Sequence, residues 1–264
     1  MLRAFASTIR ETGGRFDSDY QAVLDFAIAN SIGLPTAAQQ EIDNQVLIDY
    51  KATGAWDLDD CFYKFIGDDP DLNFKYIDWK RLNLATITGS SDKVDINGVQ
   101  VGLGGFFIDT NYNVLNDSVN YLLNDASIYI SSNLGGVAVD SSTGVAVGCR
   151  DSNADGINIR NARSISETYQ LNSKSVIFAT APLFNPLMIS RKNSNIIKLQ
   201  NDTLNNGFAD LTGVPTVLVN ETLRVLRSNA SVSSFYKHKV EYLVVGADKA
   251  SLFDDIKVIL NNPN

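Results

Sequence analysis

The chain has 264 residues, 44% of them hydrophobic, with 30 acidic and 22 basic side chains and a formal net charge of −8. The apolar share supports a packed core and excludes global disorder, and at roughly 150 residues per domain the length allows one large domain or two modest ones. The acidic balance and the lack of a basic block exclude nucleic acid as a partner and disfavour adhesion to anionic membranes.

The start, Met1 to Ala6, resembles a leader superficially, but Ser7, Thr8 and Arg10 interrupt the apolar run. The expectation is synthesis in the cytoplasm without a cleaved signal. No stretch approaches the roughly 20 apolar residues that span a bilayer. Residues 1–17 admit two readings. Leu2, Phe5 and Ile9 form the apolar side of a short helix ended by Gly13-Gly14, or the segment is an arm that orders only on a partner. Either way Leu2, Phe5 and Ile9 are candidate partner contacts.

Ser18-Asp19-Tyr20-Gln21 has the form of a capping box, and Tyr20, Val23, Leu24, Ala27 and Ile28 follow at helical spacing. Gly33 and Pro35 end that helix. Thr36-Ala37-Ala38-Gln39 opens a second one carrying Ile42, Val46, Leu47 and Tyr50, which Gly54 terminates. A third short helix is expected after Asp57, with Leu58, Cys61, Phe62 and Phe65 facing inward. Three such helices make a thin core that needs a neighbour. Trp56 and the Phe62–Phe65 cluster are the candidate docking surface, toward the rest of the chain or another subunit.

The character changes near residue 80. Alternation appears at 83–87 and 94–97. It recurs in segments 127–131, 144–149, 157–160, 175–179, 187–191, 196–200, 217–219, 223–227 and 240–245. Between them lie Asn97-Gly98, Gly135-Gly136, Asp155-Gly156 and similar turn formers, which tolerate positive φ. Ten or so short strands without intervening helices argue for an antiparallel β-sandwich or jelly roll. Residues 251–260 read as a closing helix. The expected organisation is a helical attachment or oligomerisation module over 1–80 and a sandwich over 81–264.

Catalytic chemistry finds little purchase. His238 is the single histidine, between Lys237 and Lys239, so triads and histidine zinc sites lack their parts. Glu167, Glu221 and Glu241 are isolated from one another and form no carboxylate pair of the kind glycosidases use. The two cysteines, Cys61 and Cys149, are too few for a disulfide framework or a metal knuckle; free thiols or one bridge both stay open. Gly102-Leu103-Gly104-Gly105 lacks the Lys-Ser/Thr of a phosphate loop. Asp151-Ser152-Asn153-Ala154-Asp155-Gly156 matches the first half of a calcium loop, with Asp151, Asn153 and Asp155 as oxygen ligands. Ala162 stands where such a loop ends in Glu, so a polar hairpin tip is the competing reading.

Several segments together resemble a domain of bacteriophage structural proteins of the head-fibre and tail-fibre type, as in crAss-like phages of Bacteroidetes. They are Leu34–Gln40 with Asn44–Trp56, Phe74–Lys80, Ile108–Asn113, Val119–Ser127, and the strand ends at Gly148-Cys149-Arg150, Ile189-Ser190-Arg191 and Leu226–Asn229. Val114 departs from the proline common in that family. The resemblance implies a concanavalin A-like or laminin G-like jelly roll with no catalytic residues. It implies a virion protein, of fibre, fibre-base or capsid-decoration type. Its partners would be other virion proteins, as a homo-oligomer and by analogy with fibres a trimer. A carbohydrate-binding module is the alternative, with Tyr112, Tyr121, Tyr129, Tyr169 and Phe184 as platform candidates, and host surface glycans fit both. A glycan-cleaving enzyme is the third reading.

Overall fold

The computed structural model describes residues 16–89, 94–99, 106–133, 144–150, 156–162, 166–173, 177–179, 186–192, 196–201, 209–212, 215, 217–226 and 239–261. Helix α1 spans Ser18–Ala29 and α2 spans Ala37–Ala52. The cap of α1 is Asp17, one residue before the expected Ser18; its carboxylate accepts the Asp19 amide at 3.0 Å. Thr36 caps α2 as expected, its hydroxyl accepting the Gln39 amide at 3.2 Å. The buried faces carry Tyr20, Val23, Leu24 and Ala27 on α1 and Val46, Leu47 and Tyr50 on α2, whereas Ile28 is exposed.

The expected third helix does not form. A 3₁₀ turn at Trp56–Leu58 runs directly into strand β1, Asp59–Lys64, all of whose residues are buried. A second 3₁₀ turn, Leu72–Tyr76, leads to β2 (Ile77–Asp78), β3 (Asn83–Leu84), β4 (Thr86–Thr88), β5 (Val94–Asp95) and β6 (Gly98–Val99). The longer strands follow: β7 (Phe107–Asn113), β8 (Asp125–Asn133), β9 (Gly144–Arg150), β10 (Gly156–Ala162) and β11 (Ser166–Ser173). Then come β12 (Ile177–Ala179), β13 (Leu187–Lys192), β14 (Ile196–Asn201), β15 (Ala209–Thr212), β16 (Thr222–Val225) and β17 (Lys239–Gly246). A 3₁₀ turn at Ala250–Leu252 starts the closing helix α3, Phe253–Asn261. Residues 217–219, expected as a strand, lie outside the ladders.

Two antiparallel sheets result. One has the order β15-β14-β13-β8-β17-β1-β2-β3, with β6 on β17 and β5 on β6; the other runs β12-β11-β10-β9-β16-β7-β4. They face each other as a β-sandwich around a core that includes Tyr63, Ile108, Ile128, Val147, Ile157, Ile189, Leu223 and Leu243. A second core lies on the other face of the ten-stranded sheet. There Tyr20, Leu47, Tyr50 and Trp56 from the helical front meet Phe62, Trp79, Tyr129, Met188 and Tyr242, together with Phe253 and Ile256 from α3.

Strand β1 explains the missing helix. It sits between β17 and β2, so Cys61 and Tyr63 face the inter-sheet core while Phe62 faces the helices. A strand buried on both faces shows no alternation, and a short apolar run of that kind is indistinguishable from a helix by period. Strands β1 and β2 precede residue 80, so the larger sheet draws on both sides of that point.

Candidate functional site

A cleft of about 660 Å³ opens where the two sheets approach each other at their edges. Its lining comes from the second 3₁₀ turn (Leu72, Asn73 and Tyr76, preceded by Pro70 and Asp71) and from the β4 edge (Ile87 and Gly89). The volume lies within the range of small-molecule pockets, roughly 300–1,000 Å³.

Local chemistry fixes this turn. Asp71 caps it, with Oδ1 accepting the Asn73 amide at 2.9 Å and Oδ2 accepting the Gly33 amide at 2.8 Å. The Tyr76 carbonyl accepts the Ala85 amide at 2.9 Å, tying the turn to the chain that enters β4. Gly89, at φ +94°, lies so close to Phe106 that a Cβ would come within 2.9 Å of its Cα. Burial pushes the Tyr76 phenol up to about 12, so it stays neutral, and its buried hydroxyl has no hydrogen-bond partner among the described residues.

Among the described residues the lining holds one carboxylate and no cation. Glycoside hydrolysis by the usual route needs two carboxyl groups flanking the bond. Asp71 stands alone here, with both oxygens already occupied by backbone amides. Hydroxyl-bearing ligands suit a wall of this kind, where aliphatic Leu72 and Ile87 sit beside Asn73 and Asp71.

The residues singled out from sequence do not line the cleft where they are described. Asp151, Asn153 and Asp155 lie outside the described residues, as do Leu2, Phe5, Ile9, Phe184 and His238. Nothing is described of the Tyr169 side chain. Trp56 is buried, edge-on to Tyr50 and Phe62, with Lys80 Nζ 4.6 Å from its ring centroid. Tyr112, Tyr121 and Tyr129 are buried and point their hydroxyls at Ser118, Asn172 and Asn261 respectively, so none forms an exposed platform. Cys61 and Cys149 are free and buried, and burial raises both thiols above their usual range. Among the described residues no group of three or more His, Cys, Asp or Glu side chains is arranged to hold a metal, and no helix is long and apolar enough to cross a membrane.

Sequence reasoning missed the cleft. Asp71-Leu72-Asn73 carries an Asx-turn signal that was available, but its meeting with Ile87 and Gly89 depends on the sheet edges.

The sequence matches no protein-family model and no curated protein. Solved structures do match in fold. A mutant of Trypanosoma rangeli sialidase displaying trans-sialidase activity superposes with a TM-score of 0.51 at 8% identity, over 85% of this chain and 39% of that one. The binding domain of botulinum neurotoxin serotype D superposes with a TM-score of 0.50 at 9% identity, over 78% of this chain and 52% of that one. At such identities the likeness is one of fold, an antiparallel β-sandwich. The chain spans about half or less of the length of either structure.

Proposed function

We propose that the chain is a non-catalytic, glycan-contacting β-sandwich module. The observation that carries this reading is the cleft beside Tyr76, which offers hydrogen-bonding groups and aliphatic walls but, among the described residues, only one, already engaged, carboxylate. The sandwich fold, shared with a sialidase and with a toxin's binding domain, supports contact with carbohydrate. A glycan array probed with the protein tests it. Binding above background that falls in Asn73→Ala, an exposed position with no core role, supports the cleft. No binding above background, or binding untouched by Asn73→Ala and by Ile87→Arg, overturns it.

A second reading places this module in a virion, as a fibre, fibre-base or decoration component that assembles with other virion proteins as an oligomer. It rests on the sequence resemblance. One arrangement favours it: the resembling segments Ile108–Asn113 and Val119–Ser127 meet at Asp60, whose carboxylate accepts from the Tyr112 hydroxyl and the Tyr121 amide. Those segments therefore form one structural corner. Cryo-electron microscopy of particles carrying the protein, with recombinant chain lacking residues 1–17 as competitor, decides the attachment role. Incorporation of the truncated chain at the normal level overturns it.

A further inference from the structure

Three lysines among the described residues are enclosed. The Lys75 ammonium donates to the carbonyls of Phe65, Gly67 and Asp95 at 3.2, 2.7 and 3.0 Å and stands 3.5 Å from Asp69. Lys64 donates to the Ile66 carbonyl at 2.7 Å, stands 2.8 Å from Asp43 and lies 5.9 Å from the centroid of the Trp79 ring. Among the described residues Lys249 donates to one carbonyl, that of Ala247 at a long 3.4 Å. An ammonium brings three N–H donors and no acceptor, and a buried charge left short of partners is strongly disfavoured.

The remaining neighbour of Lys249 is Asp59, and both side chains are wholly excluded from solvent. Nζ stands 2.7 Å from Asp59 Oδ1, the distance of a charge-assisted hydrogen bond. Asp59 Oδ2 accepts the Tyr50 hydroxyl at 2.8 Å. The backbone forces the approach. Gly246 pairs with Asp59 across β17 and β1, and the Ala247 amide donates to the Leu58 carbonyl at 2.9 Å.

We propose that Asp59 and Lys249 condense into an intramolecular isopeptide bond. Proton transfer within the buried pair leaves a neutral carboxylic acid and a neutral amine. The Nζ lone pair attacks Cγ, and the Nζ–Cγ bond forms. The Tyr50 hydroxyl, already on Oδ2, stabilises the charge that develops on that oxygen. Oδ1 keeps its own proton, takes a second from the nitrogen and leaves as water as the Cγ–Oδ1 bond breaks. One acid and one amine become one amide and one water, and nothing is oxidised or reduced. The pair is held at contact, which removes the entropic part of the barrier, and exclusion of solvent disfavours the reverse hydrolysis. Burial also raises the Asp59 carboxyl to about 6 against the pull of Lys249, toward the neutral acid the reaction requires.

The bond would strap the first residue of β1 to the turn before α3, closing the chain from Asp59 to Lys249 into one covalent loop with the three helices outside it. It is independent of the cleft and of any glycan. The test is the intact mass of the full-length protein, measured denatured, followed by peptide mapping. The expected result is a chain lighter than its sequence by one water, with a branched peptide joining Asp59 to Lys249. Lys249→Arg and Asp59→Ala should each restore the full sequence mass. Wild-type protein at the full sequence mass overturns the proposal, as does a lost water mapped to Asp43 and Lys64 or to any other pair. Because the deciding measurement is made on denatured wild-type chain, poor folding of a variant leaves it intact.

Discussion

Asp60 holds the backbone of Tyr121 across 61 positions of the chain, its Oδ2 accepting the Tyr121 amide at 2.7 Å. The Asn120 amide donates to Oδ1 at 2.8 Å, the Val119 amide to Oδ2 at 3.1 Å, and the Tyr112 hydroxyl adds a fourth donor at 3.3 Å. Consecutive N–H groups converging on one carboxylate form an anion nest built from the protein's own backbone. Asp60→Ala leaves the buried Tyr121 amide unpaired and takes the acceptor from the part-buried Val119 and Asn120 amides, and should cost about 3 kcal/mol; Asp60→Asn, which keeps one acceptor oxygen, should cost about 2 kcal/mol. Urea unfolding of the two variants checks both the size and the order. An Asp60→Ala protein as stable as wild type contradicts a structural role for the nest.

Asp17 links the stability of α1 to pH. Burial pushes its carboxyl up, but the Lys51 ammonium at 2.9 Å and the Asp19 amide outweigh that and hold it below the ordinary value of 3.8. A carboxyl whose folded pKa is depressed contributes stability above its unfolded pKa and loses it as pH falls through the folded one. Asp17→Ala should therefore cost about 1 kcal/mol at neutral pH, through the lost cap, and the difference from wild type should shrink on acidification below about pH 4. Thermal unfolding from pH 7 down to 3 follows this. A difference that stays constant or grows in acid refutes the linkage.

Which parts were legible in the sequence follows from burial. Helices α1 and α2 bury one face each and carry side-chain caps, so period and punctuation agree. Strands β9, β10, β13 and β17 have apolar residues at the spacing a strand requires. Strand β1 escaped because its two faces meet two different cores, and because Asp59, Asp60 and Lys64 within it look like solvated charges. Each is satisfied from a distance: by Lys249, by the 119–121 amides and by Asp43. Strand β11, Ser-Glu-Thr-Tyr-Gln-Leu-Asn-Ser, is too polar to stand out and is fixed by its pairing with β10. The cleft was illegible for a related reason, since Tyr76 and Ile87 meet through the paths of β2, β3 and β4 and share no local pattern.

Tyr76 offers a test of the cleft's unliganded state. Its hydroxyl is buried without a partner among the described residues, which costs free energy relative to a phenyl ring of the same shape. Tyr76→Phe should raise stability by about 1 kcal/mol in the absence of ligand. Calorimetry of the two proteins reads the shift in melting temperature. A lower melting temperature for the variant shows that the hydroxyl does have a partner in solution and is part of a hydrogen-bonded wall.

Gly246 tests how the close approach of β17 to β1 controls the Asp59–Lys249 contact. A Cβ at this position would stand 2.1 Å from the Leu58 carbonyl oxygen and 2.8 Å from Asp59 Cα. Both obstacles are backbone, so no side-chain rotation relieves the clash, and the strands must separate locally. Overpacking of this kind costs about 1–3 kcal/mol. Gly246→Ala should lose that amount in chemical denaturation. It should also move Lys249 away from Asp59, because only two residues separate Gly246 from the lysine along a turn anchored by the Ala247 amide on Leu58. Reaction at contact distance is sensitive to displacements of an ångström. The fraction of chains lighter by one water should therefore fall in this variant while its circular dichroism stays that of the wild-type sandwich. Undiminished water loss in a folded Gly246→Ala protein shows that the pair is positioned by something other than this strand contact.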